Sequence, residues 1–210
     1  MYVRRLFWGL FLLLVACSGQ ADATVLFEDE FVVGQSGNWI TEGDVVGKTA
    51  VIDERLLIQI DQPNTMQFAT LEDPLFTDFD LTVDARLLAG DVESSYGILF
   101  RMQDLQQFYR FEVTGTGLYV IERRNVDGTW LRLVQDWIET PALNQGLAVT
   151  NQLRVAAYGS VLTFYANGTL LQQVQDSQFK AGAIALDAGT FGQGGLQVAF
   201  DNVMVRALGP

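Results

Sequence analysis

From Val25 onward the apolar positions alternate with polar ones. No stretch of a dozen residues keeps the i, i+3, i+4, i+7 spacing of an amphipathic helix, so the period is two. Phe79, Leu81, Val83, Ala85 and Leu87 fall on one side of a chain whose other side carries Asp80, Thr82, Asp84 and Arg86, the pattern of a half-buried antiparallel strand. The same alternation predicts strands at 55–60, 96–102, 107–113, 117–123, 129–134, 151–158, 161–166, 169–174, 183–188 and 196–207. Strands this numerous and this closely spaced require two stacked sheets or a barrel.

Turn chemistry agrees with that punctuation. Asn167-Gly168 separates two predicted strands and offers the two positive-φ residues of a type I′ hairpin. Gly128 closes Asn125-Val126-Asp127-Gly128 as a left-handed residue of a longer loop. Pro63, Pro74, Pro141 and Pro210 are expected in loops or at the terminus, where no ladder hydrogen bond is lost. The segment 136–150 is the one long loop, a length that often serves function. With no linker, repeat or shift in composition after Thr24, residues 25–210 are expected to form one domain.

The amino terminus reads as an address. Arg4 and Arg5 precede an unbroken apolar run from Leu6 to Ala16, which as a helix would rise about 16 Å, short of the roughly 30 Å hydrocarbon core. That is an export signal rather than a lasting span. Leu14-Val15-Ala16-Cys17 resembles the lipobox of bacterial lipoproteins. The resemblance implies a signal peptide over 1–16, lipidation of Cys17 and a polar tether over 17–24. Cleavage after Ala21-Asp22-Ala23 is the alternative and would release a secreted protein. Several acyl chains on one residue suffice for stable anchoring, so the membrane would be engaged through the lipid alone.

Composition removes whole classes of chemistry. The chain has 210 residues, no histidine and one cysteine. Ser-His and Cys-His nucleophile pairs, imidazole metal sites and internal disulfides are therefore excluded. Without Arg4 and Arg5, eleven Lys+Arg face 25 Asp+Glu, a net −14 that would repel nucleic acid and anionic lipid. The glycine runs Gly115-Thr116-Gly117 and Gly192-Gln193-Gly194-Gly195 precede no helical pattern and read as turns rather than phosphate loops.

Three segments carry a family resemblance: 96–104 (Tyr-Gly-Ile-Leu-Phe-Arg-Met-Gln-Asp), 108–111 (Phe-Tyr-Arg-Phe) and the closing 200–205 (Phe-Asp-Asn-Val-Met-Val). With Asn167-Gly168 they resemble the concanavalin A-like lectin/glucanase superfamily, and within it the LamG-like and 3-keto-disaccharide hydrolase (DUF1080-type) jelly rolls. The resemblance implies an all-β, two-sheet antiparallel jelly-roll sandwich over about 27–205, with a sugar-binding groove on one sheet and the 27–31 strand beside the C-terminal one. The E-x-D-x-(x)-E strand of laminarinase-like enzymes is missing. Glu28-Asp29-Glu30, the nearest acidic cluster, reads as a solvated edge rather than a catalytic pair. The resemblance also suggests calcium at Asp201 and Asn202, but no loop supplies the six or more oxygens a cation needs, so strand-end hydrogen bonding is the competing role and no cofactor is expected.

Alternation names the candidate site. With Ile98, Phe100 and Met102 inward, Arg101 faces outward; with Tyr109, Phe111 and Val113 inward, Arg110 and Glu112 face outward. In 129–134, Leu131 and Leu133 point inward and leave Trp130 and Arg132 outside. An indole for the C–H face of a sugar and guanidinium and carboxylate groups for its hydroxyls suit a glycan site. The same residues would also make ordinary cross-strand pairs with Glu112, Glu122 or Asp104. The expected function is that of an exported, lipid-anchored module binding a glycan or another envelope component without catalysis. The alternatives are a hydrolase of keto-sugars or polysaccharides and a structural or adhesion module.

Overall fold

A computed structural model describes residues 24–209; the export run, Cys17 and the tether up to residue 23 lie outside the described residues. Sixteen strands form, and no helix occurs among the described residues. They are β1 (Val25–Asp29), β2 (Trp39–Ile40), β3 (Gly47–Ile52), β4 (Arg55–Ile60), β5 (Met66–Phe76), β6 (Phe79–Ala89), β7 (Ser95–Asp104), β8 (Gln107–Thr114), β9 (Leu118–Arg124), β10 (Trp130–Arg132), β11 (Ile138–Glu139), β12 (Thr150–Tyr158), β13 (Val161–Ala166), β14 (Thr169–Gln175), β15 (Gly182–Gly189) and β16 (Leu196–Ala207).

All pairings are antiparallel, and they build two eight-stranded sheets. One runs β14-β13-β12-β6-β16-β4-β3, with β1 alongside β16; the other runs β10-β9-β8-β7-β15-β5-β2, with β11 alongside β9. Consecutive hairpins joined by long crossovers between two facing sheets make this an all-β jelly-roll sandwich. β1 joins β16 through Phe27↔Val205 and Asp29↔Val203, so the terminal strands are neighbours.

The inward set of β6 (Phe79, Leu81, Val83, Ala85, Leu87) packs against Ile98, Phe100, Tyr109, Phe111, Ile184 and Leu186 of the second sheet. Each fully buried Val, Leu, Ile or Phe of this set contributes about 1.5–3 kcal/mol, and Ala85 less. Asn167 (φ 49°) and Gly168 (φ 78°) form the β13–β14 turn with the positive dihedrals expected, and Gly128 (φ 77°) is left-handed as well.

Four sequence expectations change. Pro74 lies within β5 rather than in a loop; the β5–β15 register jumps between Leu71↔Ile184 and Phe76↔Gly182, so Pro74 occupies an excursion with no ladder partner to lose. The 136–150 loop is interrupted by β11, which pairs with Tyr119 and Leu118. Leu131 is exposed at 43%, in the three-residue edge strand β10, all of whose residues are exposed.

Arg101 is the fourth. The β7 register shifts against both neighbours, between Phe100 and Asp104 on β8 and around Met102 on β15, and Arg101 has φ 47°. This bulge breaks the alternation. Phe100 stacks on Tyr109 in the interlayer core, while Met102 joins Leu99 on the other face. Arg101, fully buried, donates to the carbonyls of Thr77 (2.8 Å), Gly159 (2.8 Å) and Phe179 (3.2 Å) and meets Asp78 at 3.3 Å. It ties three chain connections together at one end of the sandwich and is not part of an outward-facing site.

Candidate functional site

The outer face of the second sheet can be read from its registers. Trp130, Arg124 and Phe108 form one transverse row across β10, β9 and β8. Arg132, Glu122, Arg110 and Leu99 form the next, and Val120, Glu112, Gly97 and Asp187 the third. Gly97 leaves the space between Glu112 and Asp187 clear. A Cβ there would meet the Phe111 carbonyl at 2.0 Å and the Glu112 Cα at 2.8 Å, so no other residue fits.

Arg110 fills the clearing. Its Nε donates to Asp187 Oδ2 at 2.9 Å, its Nη2 pairs with Glu112 Oε1, and that oxygen also accepts the Ser95 hydroxyl at 2.7 Å. Both carboxyl groups are buried. Burial pushes the Glu112 carboxyl up to about 8, with Arg110 only partly offsetting it; burial raises Asp187 too. Burial disfavours the Arg110 charge, but Glu112 and Asp187 outweigh it and raise its pKa. The second oxygen of Asp187, Oδ1, has no hydrogen-bond partner, so the two carboxyl groups meet through the Arg110 guanidinium between them. The cluster therefore holds Arg110 rigidly at the base of the face.

Above it opens a cavity of about 640 Å³. Arg110, Glu122, Arg124, Trp130 and Arg132 line it from one side, and Met66, Thr190 and Phe191 from beyond β7. Trp130 is 41% exposed and Phe191 47%, so two partly free aromatic rings border one space. The guanidiniums of Arg110 and Arg124 lie 5.4 and 5.6 Å from the Trp130 ring centroid, and Phe108 meets the indole edge-on at 5.8 Å. Arg132 pairs with Glu122 at 3.3 Å and also with Asp136.

Of the five residues expected to form a site, Arg110, Trp130 and Arg132 line the cavity, and Glu112 lies beneath it as a support rather than a contact. Arg101 is elsewhere. Of the cross-strand pairs expected as the competing role, Arg132–Glu122 forms; Arg110 instead pairs with Glu112 on its own strand and with Asp187 on β15. Three contributors were missed. Arg124 falls one residue beyond the predicted strand, and Phe191 lies in a loop with no pattern to flag it. Asp187 had a legible signal, a lone carboxylate in the apolar run Ala183-Ile184-Ala185-Leu186.

Other polar clusters are structural. Asp29 accepts from the Phe31 and Gly37 amides and the Trp39 indole at 2.6–2.8 Å, which fixes the turn after β1. Asp201 accepts the Asn202 amide, and Asn202 donates to Asp84 at 2.9 Å within a β16 bulge.

Comparison with known proteins adds a family and a set of folds. The model of the 3-keto-alpha-glucoside-1,2-lyase-like domain matches residues 22–206. The carbohydrate binding module CBM66 from Bacillus subtilis is similar in structure, with TM-score 0.65 and 18% identity over 81% of this chain and 96% of that one. A Bacillus subtilis protein of unknown function with a galectin-like fold has TM-score 0.67 and 10% identity, covering 88% and 96%. The catalytic domain of a laminarinase from Thermotoga petrophila RKU-1 has TM-score 0.62 and 11% identity, covering 88% and 97%. These likenesses show the jelly-roll fold, which binding modules and glycosidases share. A search of curated proteins gives no match.

Proposed function

The chain belongs to the 3-keto-alpha-glucoside-1,2-lyase-like domain family, and from that premise we propose that it is an exported, lipid-anchored module that binds a glycan in the Arg110–Trp130 cavity without transforming it. One observation carries this reading: Arg110, held by two buried carboxyl groups, stands preorganised at the base of an open cavity bordered by Trp130 and Phe191. Rigid donors beside aromatic surface are what sugar recognition requires, because little side-chain entropy is lost on binding. The carbohydrate-binding name of one structural neighbour is consistent with it.

Carboxylate placement favours binding over cleavage. Glycoside hydrolysis uses two carboxyl groups facing the sugar, about 5–5.5 Å or 6.5–9.5 Å apart. Here Glu122 alone among the described residues brings a carboxylate to the cavity wall, and it pairs with Arg132. Glu112 and Asp187 are buried and engaged with Arg110. The second reading, a lyase or hydrolase of 3-keto glucosides, rests on the family description and on Glu122 as its reactive group.

The test is calorimetric titration and glycan-array binding of the mature domain, its Trp130→Ala and Arg132→Ala variants, and thermal melts of each. Folded variants that lose at least about tenfold in affinity support the proposal. No glycan bound by the parent, or equal binding by the variants, overturns it, and sugar-independent capture of an envelope protein would favour the adhesion role. Turnover of a 3-keto disaccharide that disappears in Glu122→Gln would establish the enzymatic reading instead. For the anchor, Cys17→Ala should move the protein from the membrane to the soluble fraction; an unchanged membrane fraction refutes lipidation at that residue.

A further inference from the structure

The three guanidiniums of the cavity are not equivalent. Arg110 is matched by Asp187 and Glu112, and Arg132 by Glu122 and Asp136. Arg124 forms no ion pair, and its Nε has no hydrogen-bond partner. Asp104, a carboxylate within its electrostatic reach, is occupied by the Gln106 amide at 2.7 Å and the Gln107 side chain at 2.6 Å. Arg124 is instead laid against the Trp130 ring and lines the cavity as its one cation without a carboxylate partner, among the described residues.

We infer that the cavity selects acidic sugars: Arg124 receives the carboxylate of a uronic acid residue while the rest of the ring lies between Trp130 and Phe191. This rests on the glycan-binding reading and names the class of glycan. A guanidinium matches a planar carboxylate with two parallel hydrogen bonds, and the cation–π contact with Trp130 restricts its position before the ligand arrives. The whole chain argues for sparse rather than dense ligand charge. A mature body of net charge −14, without Arg4 and Arg5, repels a polyanion at long range, whereas one carboxylate within a few ångströms of Arg124 is inside the roughly 8 Å screening length where the local cation dominates. A uronate set among neutral sugars fits that field better than a heavily sulfated polymer.

The experiment titrates a panel of uronate-bearing oligosaccharides and their carboxyl-reduced neutral counterparts into the parent and into Arg124→Gln and Arg124→Lys. The readout is the affinity ratio of each acidic sugar to its reduced form. The parent should prefer the acidic form by about tenfold, a ratio that shrinks with added salt; it should fall to about one in Arg124→Gln and to an intermediate value in Arg124→Lys. A ratio of one in the parent, or a preference that survives Arg124→Gln, overturns the inference while leaving glycan binding in place. Tighter binding of a sulfated polymer than of any uronate overturns it as well. If neither acidic nor reduced sugars bind and the wider array is also blank, the glycan-binding reading falls and takes this inference with it.

Discussion

Replacing Arg101 by methionine should destabilise the protein without abolishing ligand binding by the folded fraction. Methionine keeps most of the buried aliphatic stem, so the change isolates the guanidinium and its hydrogen bonds to the Thr77, Gly159 and Phe179 carbonyls. A buried acceptor that loses its donor costs about 1–3 kcal/mol. The Phe179 carbonyl contact is buried and takes the full penalty; those of Thr77 and Gly159 are partly buried and can recruit water. Asp78 is one-third exposed, so losing that pair adds little. The total is about 3–5 kcal/mol, which in a domain of this size lowers Tm by about 10 °C or more. Urea denaturation followed by tryptophan fluorescence, with glycan titration of the surviving folded fraction, measures both sides. A loss below about 1 kcal/mol, or normal stability with abolished binding, would refute the reasoning and return Arg101 to the ligand site.

The remaining expectations concern the cluster beneath the cavity. Because Glu112 titrates near 8 when folded and near its ordinary carboxyl value when unfolded, the folded state holds the extra proton between these limits. Its contribution to stability is complete below the unfolded pKa and is lost as pH rises through about 8. Denaturation midpoints should therefore fall from pH 5 to pH 9, and Glu112→Gln should flatten that slope; a parent whose stability rises over the range contradicts the assignment. Gly97→Ala should cost more than about 2 kcal/mol or prevent folding, since the added carbon strikes backbone on β8. A parental Tm for this variant would show that β7 and β8 do not approach as described.

Alternation along the chain was enough to locate most strands, because the side-chain period of an extended backbone is local and survives any tertiary arrangement. It placed β4, β13 and β16 at their observed limits and put Arg110, Glu112, Trp130 and Arg132 on the correct face. Absence of histidine and shortage of cysteine likewise bound the chemistry whatever the fold. Arg101 escaped that logic, since a bulge adds residues to one strand and reverses every assignment across it, and whether a bulge forms depends on the neighbours the strand pairs with. Asp187 and Glu112 lie 75 positions apart in sequence order but on either side of a glycine in space, so their shared hold on Arg110 had no local signature. Local geometry writes the strands; which charges end up buried together is decided by the order in which those strands are laid side by side.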